Sequence, residues 1–369
     1  MRNFYSFDEY NIPQSVKLLF WGLYMVVFVY AVWKIFLAVP KAKRNVEIGK
    51  WIVLYFAAYA VFYCVNPDYF RYRDWMDIPS AVYWHKEEIY FYLSLFCRLL
   101  PIDYPFELFR LLVWGGALLL VYRTAKMYRA QLSPGLAVLL LFVFFSGTFC
   151  YARASLAMGV FSLGVAILMH ANGSLERMFG IGLAVCSYFF HHEMMVGVAV
   201  LPSILLPFER KSNTFIMSLW VMVTAVLFLI YTNPELLSTI LGDDDLAEKM
   251  ETYSNQELGA IRLSTLVKYI NIFYPFLLVA RKFRKREGLP KAIVGIYRVT
   301  FMLLLVTVAF MAVSGTRSTF TYRVMYITII PMSILIAYGY NQGLFKRNQL
   351  AIMLLLAVLT NSIRLINAM

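Results

Sequence analysis

The sequence predicts an all-α, polytopic integral membrane protein. It is 61 % hydrophobic and only 15 % charged, and its mean hydropathy is +0.66. Apolar runs of roughly 16–25 residues recur along the chain, matching a hydrocarbon core of about 30 Å crossed by helices. The regularly spaced turn signals and the alternating apolar–polar pattern that are typical of β-strands are missing from the sequence. We therefore expect about 12 transmembrane helices (11–13), which form a single transmembrane domain over residues 1–369.

The positions of the apolar runs give the expected spans. The first is too long for a signal-peptide core and lacks a small-residue cleavage site after it, so we expect it to stay in the protein. Segment 87–102 is too short and too charged to cross comfortably, and it is predicted as an interfacial or re-entrant helix. The expected spans are 15–39, 51–65, 106–122, 135–150, 152–170, 178–191, 194–208, 213–231, 265–280, 292–312, 323–340 and 349–367.

Basic connectors orient these spans. Lys and Arg gather after the first, third and ninth spans and, more weakly, after the fifth, seventh and eleventh, so they alternate in phase. Connectors rich in Lys and Arg face the cytoplasm, which puts the N-terminus outside. The same rule accounts for the net charge of +13, so no nucleic-acid partner is expected. Two longer connectors, 66–105 and 232–264, then face the periplasm or the cell exterior.

No metal or cofactor is expected from the residue pattern. The four cysteines are dispersed and form no CxxC pair, which argues against a zinc site or a disulfide framework. The acidic run 243–245 could hold a divalent cation, although a solvated acidic loop is the better interpretation.

A cluster of ionisable residues, His191, His192 and Glu193, interrupts the nearly uncharged stretch 178–208. Such groups are costly in or at the edge of a membrane, so their presence is a functional hypothesis. The predicted topology puts them in the outer turn between the sixth and seventh spans. We expect one histidine to be a reactive base and the other to be a packing residue, and Glu193 receives no role.

Five arginines are predicted at the same outer boundary, where basic residues are normally scarce. Guanidinium groups are always charged and grip phosphate oxygens in a bidentate fork. Around a diphosphate leaving group they stabilise the charge that develops as its bond breaks. A neighbouring histidine could take the proton from an attacking hydroxyl. For a single arginine at the end of a span, snorkelling to lipid headgroups is the alternative. The five are Arg71, Arg73, Arg153, Arg317 and Arg323.

Short motifs over residues 50–340 carry a family resemblance. They are DYFRY with Asp68 and Tyr72, EEIYFYLS with Glu87 or Glu88, YARASLAMGV with Arg153, SYFFHHEMM with His191 or His192, and TYRVMYI with Arg323. In this order they resemble the EpsG-type, Wzy-like polysaccharide polymerases of bacteria. The chain departs from that family in lacking an arginine a few residues before Asp68, so phosphate binding in this loop is assigned to Arg71 or Arg73.

The resemblance implies a metal-independent glycosyltransferase of the bacterial inner membrane, with a GT-C-like helical bundle. It would transfer a glycan of an O-antigen, capsule or exopolysaccharide from undecaprenyl diphosphate to a sugar hydroxyl of another lipid-linked repeat unit, at the periplasmic face. Its partners would be that lipid-linked oligosaccharide, membrane lipids, and a chain-length regulator and flippase of the same pathway. The implied roles are catalysis by His192 or His191, diphosphate binding by Arg153, Arg323, Arg317, Arg71 and Arg73, and sugar binding by Asp68, Tyr72, Glu88 and Glu87.

Other function classes make different demands on the same residues. An O-antigen ligase differs from a polymerase only in its acceptor, so the sequence leaves that alternative open. A lipid-linked oligosaccharide flippase needs arginines along a central cavity through both halves, whereas these gather at one face. A membrane-bound O-acyltransferase needs a histidine on a tunnel from the cytoplasm, and His191 and His192 are predicted on the opposite side.

Overall fold

The computed structural model describes residues 72–76, 88–128, 152–206, 213–233, 263–284, 288–314, 319–346 and 348–353, with single positions between 15 and 26 and between 355 and 360. The regular elements in these parts of the chain are all helical, which confirms the predicted all-α class. The α-helices are α1 (Glu88–Leu99), α2 (Pro105–Arg110), α3 (Gly116–Met127), α4 (Ala152–His170), α5 (Ser174–Phe190), α6 (Met195–Ala199), α7 (Asn213–Thr232), α8 (Leu263–Arg284), α9 (Lys291–Ser314), α10 (Thr319–Ile327) and α11 (Ile329–Asn341). A π-helical turn, Leu111–Gly115, joins α2 to α3, and two 3-10 turns, His192–Met194 and Leu201–Leu205, flank α6.

Four helices in the described part of the chain are long and apolar enough to cross a membrane. They are Pro105–Met127, Arg153–His170, Lys291–Val313 and Val324–Asn341, and each coincides with an expected span. The total of about 12 spans and the GT-C-like arrangement stay predictions. Expected spans 51–65 and 135–150 lie outside the described residues, and 15–39 and 349–367 are described at only some positions.

The expected span 194–208 has a different form from the predicted one. The helix there is broken, and its apolar stretch, His192–Leu205, is shorter than the spanning helices. Pro202 explains the break, because it has no backbone N–H to continue the α-helical ladder, and the chain tightens into a 3-10 turn after Val200. The break lies inside the expected span 194–208, of which residues 194–206 are described, and that span stays a prediction.

An arginine from a distant helix secures the end of this broken segment. Nη1 of Arg298, on α9, donates a hydrogen bond to the carbonyl oxygen of Ile204 at 2.6 Å. The last carbonyls of a helical segment have no partner inside it, so a side chain that reaches them replaces the missing bond. The contact ties the Leu201–Leu205 turn to α9.

The short charged segment 87–102 forms α1, a helix of 12 residues. This length agrees with the prediction of a helix too short to span. Arg98 in its last turn donates from Nη1 to the carbonyl oxygen of Met76 at 2.9 Å. This hydrogen bond connects the helical residues 72–76 to α1.

Helices α4 and α5 form a tightly packed antiparallel hairpin with a short connection at 171–173. A Cβ atom on Gly164 would lie 2.5 Å from the backbone nitrogen of Ala184, and one on Gly180 would lie 2.6 Å from that of Leu168. Small residues at a helix interface allow such close backbone approach in membranes. Because the helices are antiparallel, the start of α4 and the end of α5 lie at the same end of the hairpin.

Helix α9 is central to the described structure. It contacts α4, α7, α10, α11 and the Leu201–Leu205 turn. Its buried Thr300 and Thr307 donate to carbonyl oxygens one turn back in the same helix, at 2.7 and 2.8 Å, so their hydroxyls need no partner from another helix.

Candidate functional site

Arg153 lies in the first turn of α4 and packs against two aromatic side chains. Its Nε donates a hydrogen bond to the hydroxyl oxygen of Tyr72 at 3.1 Å. Its guanidinium carbon lies 5.5 Å from the ring centroid of Tyr72 and 5.5 Å from that of Trp75. Both distances are within the range of a cation–π interaction. The rings of Tyr72 and Trp75 are themselves buried and their centroids lie 5.6 Å apart, so the guanidinium packs against a cluster of two aromatic rings.

Tyr90 joins Arg153 to the end of α5. Its hydroxyl donates to the carbonyl oxygen of Arg153 at 2.9 Å. Its ring meets that of Phe190 edge to face, with the centroids 6.4 Å apart. Tyr90 is fully buried on α1. A single side chain therefore connects the predicted phosphate-binding arginine to the residue directly before His191.

His191 ends α5 and is paired with Glu193. Its backbone is extended, with φ −163° and ψ 117°, which stops the helix. Its Nε2 then lies 3.1 Å from Oε2 of Glu193, and the two side chains are 13 % and 7 % exposed. A buried carboxylate is costly unless it is paired. The pairing gives Glu193 a role that the sequence interpretation did not assign.

His192 has different surroundings. Its ring stacks on that of Tyr188, one turn earlier in α5, with 4.8 Å between centroids and 12° between planes. The residue is buried. The turn that contains His192 contacts α4, α5, α6 and α10.

The other predicted site residues are described to different extents. Arg323 lies on α10, the helix that packs against the His192–Met194 turn, but its side chain is outside the described part. Arg73 is exposed on the helical residues 72–76. Glu88 begins α1, with its side chain also outside the described part. Asp68, Arg71, Glu87 and Arg317 lie outside the described residues altogether.

Two residues of this arrangement, Trp75 and Tyr90, escaped the sequence reasoning. Both lie beside the motifs that carry the resemblance, Trp75 three residues after Tyr72 and Tyr90 within EEIYFYLS. Their burial distinguishes them from interfacial aromatics, but the sequence shows no such difference among 26 tyrosines and 7 tryptophans. In the described residues, no group of three or more His, Cys, Asp or Glu side chains is placed to hold a metal ion.

The described structure is that of a membrane protein with apolar helices long enough to span a bilayer. An aromatic-bound arginine and a histidine–carboxylate pair lie at the same end of its α4–α5 hairpin. The chain belongs to the EpsG family, whose family model matches residues 48–369. It is thus a polysaccharide polymerase-like membrane protein, and the resemblance in its motifs is confirmed. No curated protein and no solved structure matches the chain.

Proposed function

We propose that this chain polymerises a bacterial surface polysaccharide from lipid-linked repeat units. It transfers a growing glycan from undecaprenyl diphosphate to a sugar hydroxyl of another undecaprenyl-diphosphate-linked oligosaccharide. The site faces the periplasm or cell exterior of a multi-pass protein in the inner membrane, as the positive-inside pattern predicts. A flippase that delivers the repeat units and a chain-length regulator are its expected partners.

The observation that carries this proposal is the connection from Tyr72 through Arg153 and Tyr90 to the end of α5. It brings a fixed guanidinium and a histidine–carboxylate pair to one end of the α4–α5 hairpin. Glycosyl transfer from a lipid diphosphate needs both kinds of group. A cation stabilises the departing diphosphate, and a base takes the proton of the attacking hydroxyl.

Arg153 is the proposed diphosphate-binding residue. The hydrogen bond to Tyr72 and the two aromatic rings orient its guanidinium in advance, so less side-chain entropy is lost on binding. Such preorganised charge is the largest contribution to many enzymatic rate enhancements.

The remaining predicted residues complete the proposed substrate site. Arg323 enters on α10, which contacts the histidine-containing turn, and it is proposed to share the diphosphate with Arg153. Arg317, Arg71 and Arg73 are proposed to assist them. Asp68, Tyr72, Glu87 and Glu88 are assigned to the sugars of the repeat unit, and His191 or His192 supplies the base.

The test uses purified protein in proteoliposomes. The substrate is the undecaprenyl-diphosphate-linked repeat unit extracted from host cells that lack this chain. We expect a ladder of glycans on a gel and release of undecaprenyl diphosphate in proportion to the bonds formed. Transfer of single units to a different acceptor would instead indicate a ligase. Movement of the lipid across the bilayer without a covalent product would indicate a flippase, and either result contradicts the proposal.

A further inference from the structure

We propose that Glu193 is a positioning residue that acts through His191, and that His191 is the base of the transfer reaction. The inference deepens the proposed function and rests on it. It assigns different roles to three consecutive residues. His191 accepts the proton of the attacking hydroxyl, and Glu193 orients the His191 ring. His192 packs the turn against α5.

The geometry of the turn places the two partners. Met194 N–H donates to the carbonyl oxygen of His191 at 2.9 Å, and His191 N–H donates to that of Ser187 at 3.1 Å. These bonds hold the backbone on both sides of His191. The carboxylate of Glu193 therefore reaches Nε2 of His191 from a fixed position, at 3.1 Å.

The carboxylate also selects the histidine tautomer. An ionised carboxylate only accepts hydrogen bonds, so the neutral imidazole beside it carries its proton on Nε2. The lone pair then lies on Nδ1, which is the atom that accepts the proton. A second group that orients the ring and stabilises the imidazolium is the arrangement that makes a histidine an effective base.

The transfer step is then balanced in atoms and charge. The acceptor hydroxyl oxygen forms a bond with the anomeric carbon of the donor sugar, and the bond from that carbon to the diphosphate oxygen breaks. Its electron pair leaves with undecaprenyl diphosphate, which gains one negative charge. The hydroxyl proton moves to Nδ1 of His191. The imidazolium is stabilised by Glu193 until it returns the proton to water.

His192 is arranged for packing. Its ring lies nearly parallel to that of Tyr188, four residues earlier in the chain, and it is buried. Stacked ring contacts of this kind stabilise a fold beyond the area that they bury. Its substitution should therefore weaken the turn more than it changes the chemistry.

The experiment compares kcat and KM of purified variants in the proteoliposome assay with the extracted lipid-linked repeat unit. His191→Gln should lower kcat by about 100-fold or more. Glu193→Gln keeps the shape but removes the charge, and it should lower kcat by about 30–100-fold with little change in KM. Glu193→Asp restores the charge and should recover about tenfold over the Gln variant. The double variant His191→Gln/Glu193→Gln should have the same kcat as His191→Gln alone, because Glu193 acts only through the His191 ring.

Two further variants set the reference. Glu176→Gln makes the same chemical change at an exposed residue of α5 whose Oε2 accepts from Asn172 N–H at 2.8 Å, and it should leave kcat unchanged. His192→Gln should lose less than about tenfold in kcat while lowering the midpoint of thermal unfolding.

Three results would overturn the inference. These are full kcat in Glu193→Gln, multiplied losses in the double variant, or a larger loss of kcat in His192→Gln than in His191→Gln. If Glu193→Gln does not fold, the relative losses of kcat in His191→Gln and His192→Gln still show which histidine is the base. An inactive wild-type protein contradicts the proposed function itself, which separates that failure from a failure of this inference.

Discussion

The two ends of the α4–α5 hairpin both carry histidine beside aromatic rings, yet they are built differently. At the connecting end, His170 meets Tyr128 edge to face at 5.0 Å, and its Nδ1 lies 2.8 Å from the carbonyl oxygen of Ala166 in its own helix. At the opposite end, His191 is paired with a buried carboxylate. The first histidine is exposed and its hydrogen bond is local, as for an ordinary residue at a helix end.

The charged groups at the two ends show the same contrast. Glu176 and Arg177 near the connection are exposed, and the buried phenol there, Tyr128, has its pKa raised by burial. At the other end, Arg153 is only partly exposed, and Tyr72 and Tyr90 reach it from segments distant in the chain. Charge that is held by several separate segments is the pattern expected of a functional site rather than of a solvated helix end.

The largest expected effect comes from Arg153. Arg153→Lys keeps the charge but loses the planar fork, so we expect kcat/KM for lipid-linked repeat units to fall by about 100–1,000-fold. The matched change at the connecting end, Arg177→Lys, should have no effect. The rate of polymer formation in proteoliposomes measures both. Equal activities of the Arg153→Lys and Arg177→Lys proteins would contradict a functional difference between the two ends.

The second effect is on stability and tests the close packing of α4 against α5, on which both ends of the hairpin depend. Gly164→Ala forces a methyl group against the backbone of α5, so the helices must separate. We expect the free energy of unfolding to fall by about 1–3 kcal/mol. Gly182→Ala is the control, because a Cβ there meets nothing within 4 Å. Thermal unfolding in detergent compares the variants. A Gly164→Ala protein as stable as Gly182→Ala would contradict the close packing.

A smaller effect is expected from Tyr72. Tyr72→Phe retains the ring beside Arg153 but removes the hydroxyl that accepts from Nε. Loss of one such hydrogen bond to a charged group is worth about 1.5–3 kcal/mol, so kcat/KM should fall by about 10–100-fold. Tyr122→Phe, at an exposed tyrosine of α3, provides the control for the same chemical change. A Tyr72→Phe enzyme with wild-type kcat/KM would show that Arg153 needs no orientation from Tyr72.

The smallest effect is expected from His170. His170→Gln should leave polymer formation within about twofold of wild type, because its ring is exposed and its contacts, with Ala166 and Tyr128, lie at the connecting end of the hairpin. The same polymerisation assay measures it. A loss comparable to that of His191→Gln would place functional chemistry at both ends of the hairpin and break the comparison.

The sequence was sufficient to predict the positions of site residues that follow from the local pattern of helices and connections. The apolar periodicity of α4 and α5 and the short connection between them predict that Arg153 and His191 share one end, because neighbouring spans are antiparallel. The motif that contains Tyr72 was also recognisable. Its contact with Arg153 was not, since nothing in a degenerate aromatic motif indicates which distant side chain will pack there.

The pairing of His191 with Glu193 was hidden for a different reason. The sequence predicts a turn at 191–193 but not its backbone conformation, since no glycine or proline at 192–194 restricts it. The contact depends on the extended backbone at His191, which brings its ring to the carboxylate of Glu193. Pro202 lies within the apolar run 194–208, and hydropathy alone does not indicate that the helix breaks there.

The hairpin also sets an order of assembly during synthesis. The contact between Gly164 and Gly180 joins positions close in the chain, and such local contacts form early. Arg153 and His191 can therefore come to the same end of the hairpin as soon as α4 and α5 have been inserted, when Tyr72 and Tyr90 have already been synthesised. Arg323 on α10 is made much later. One half of the proposed substrate site is thus complete before the residue expected to close it exists.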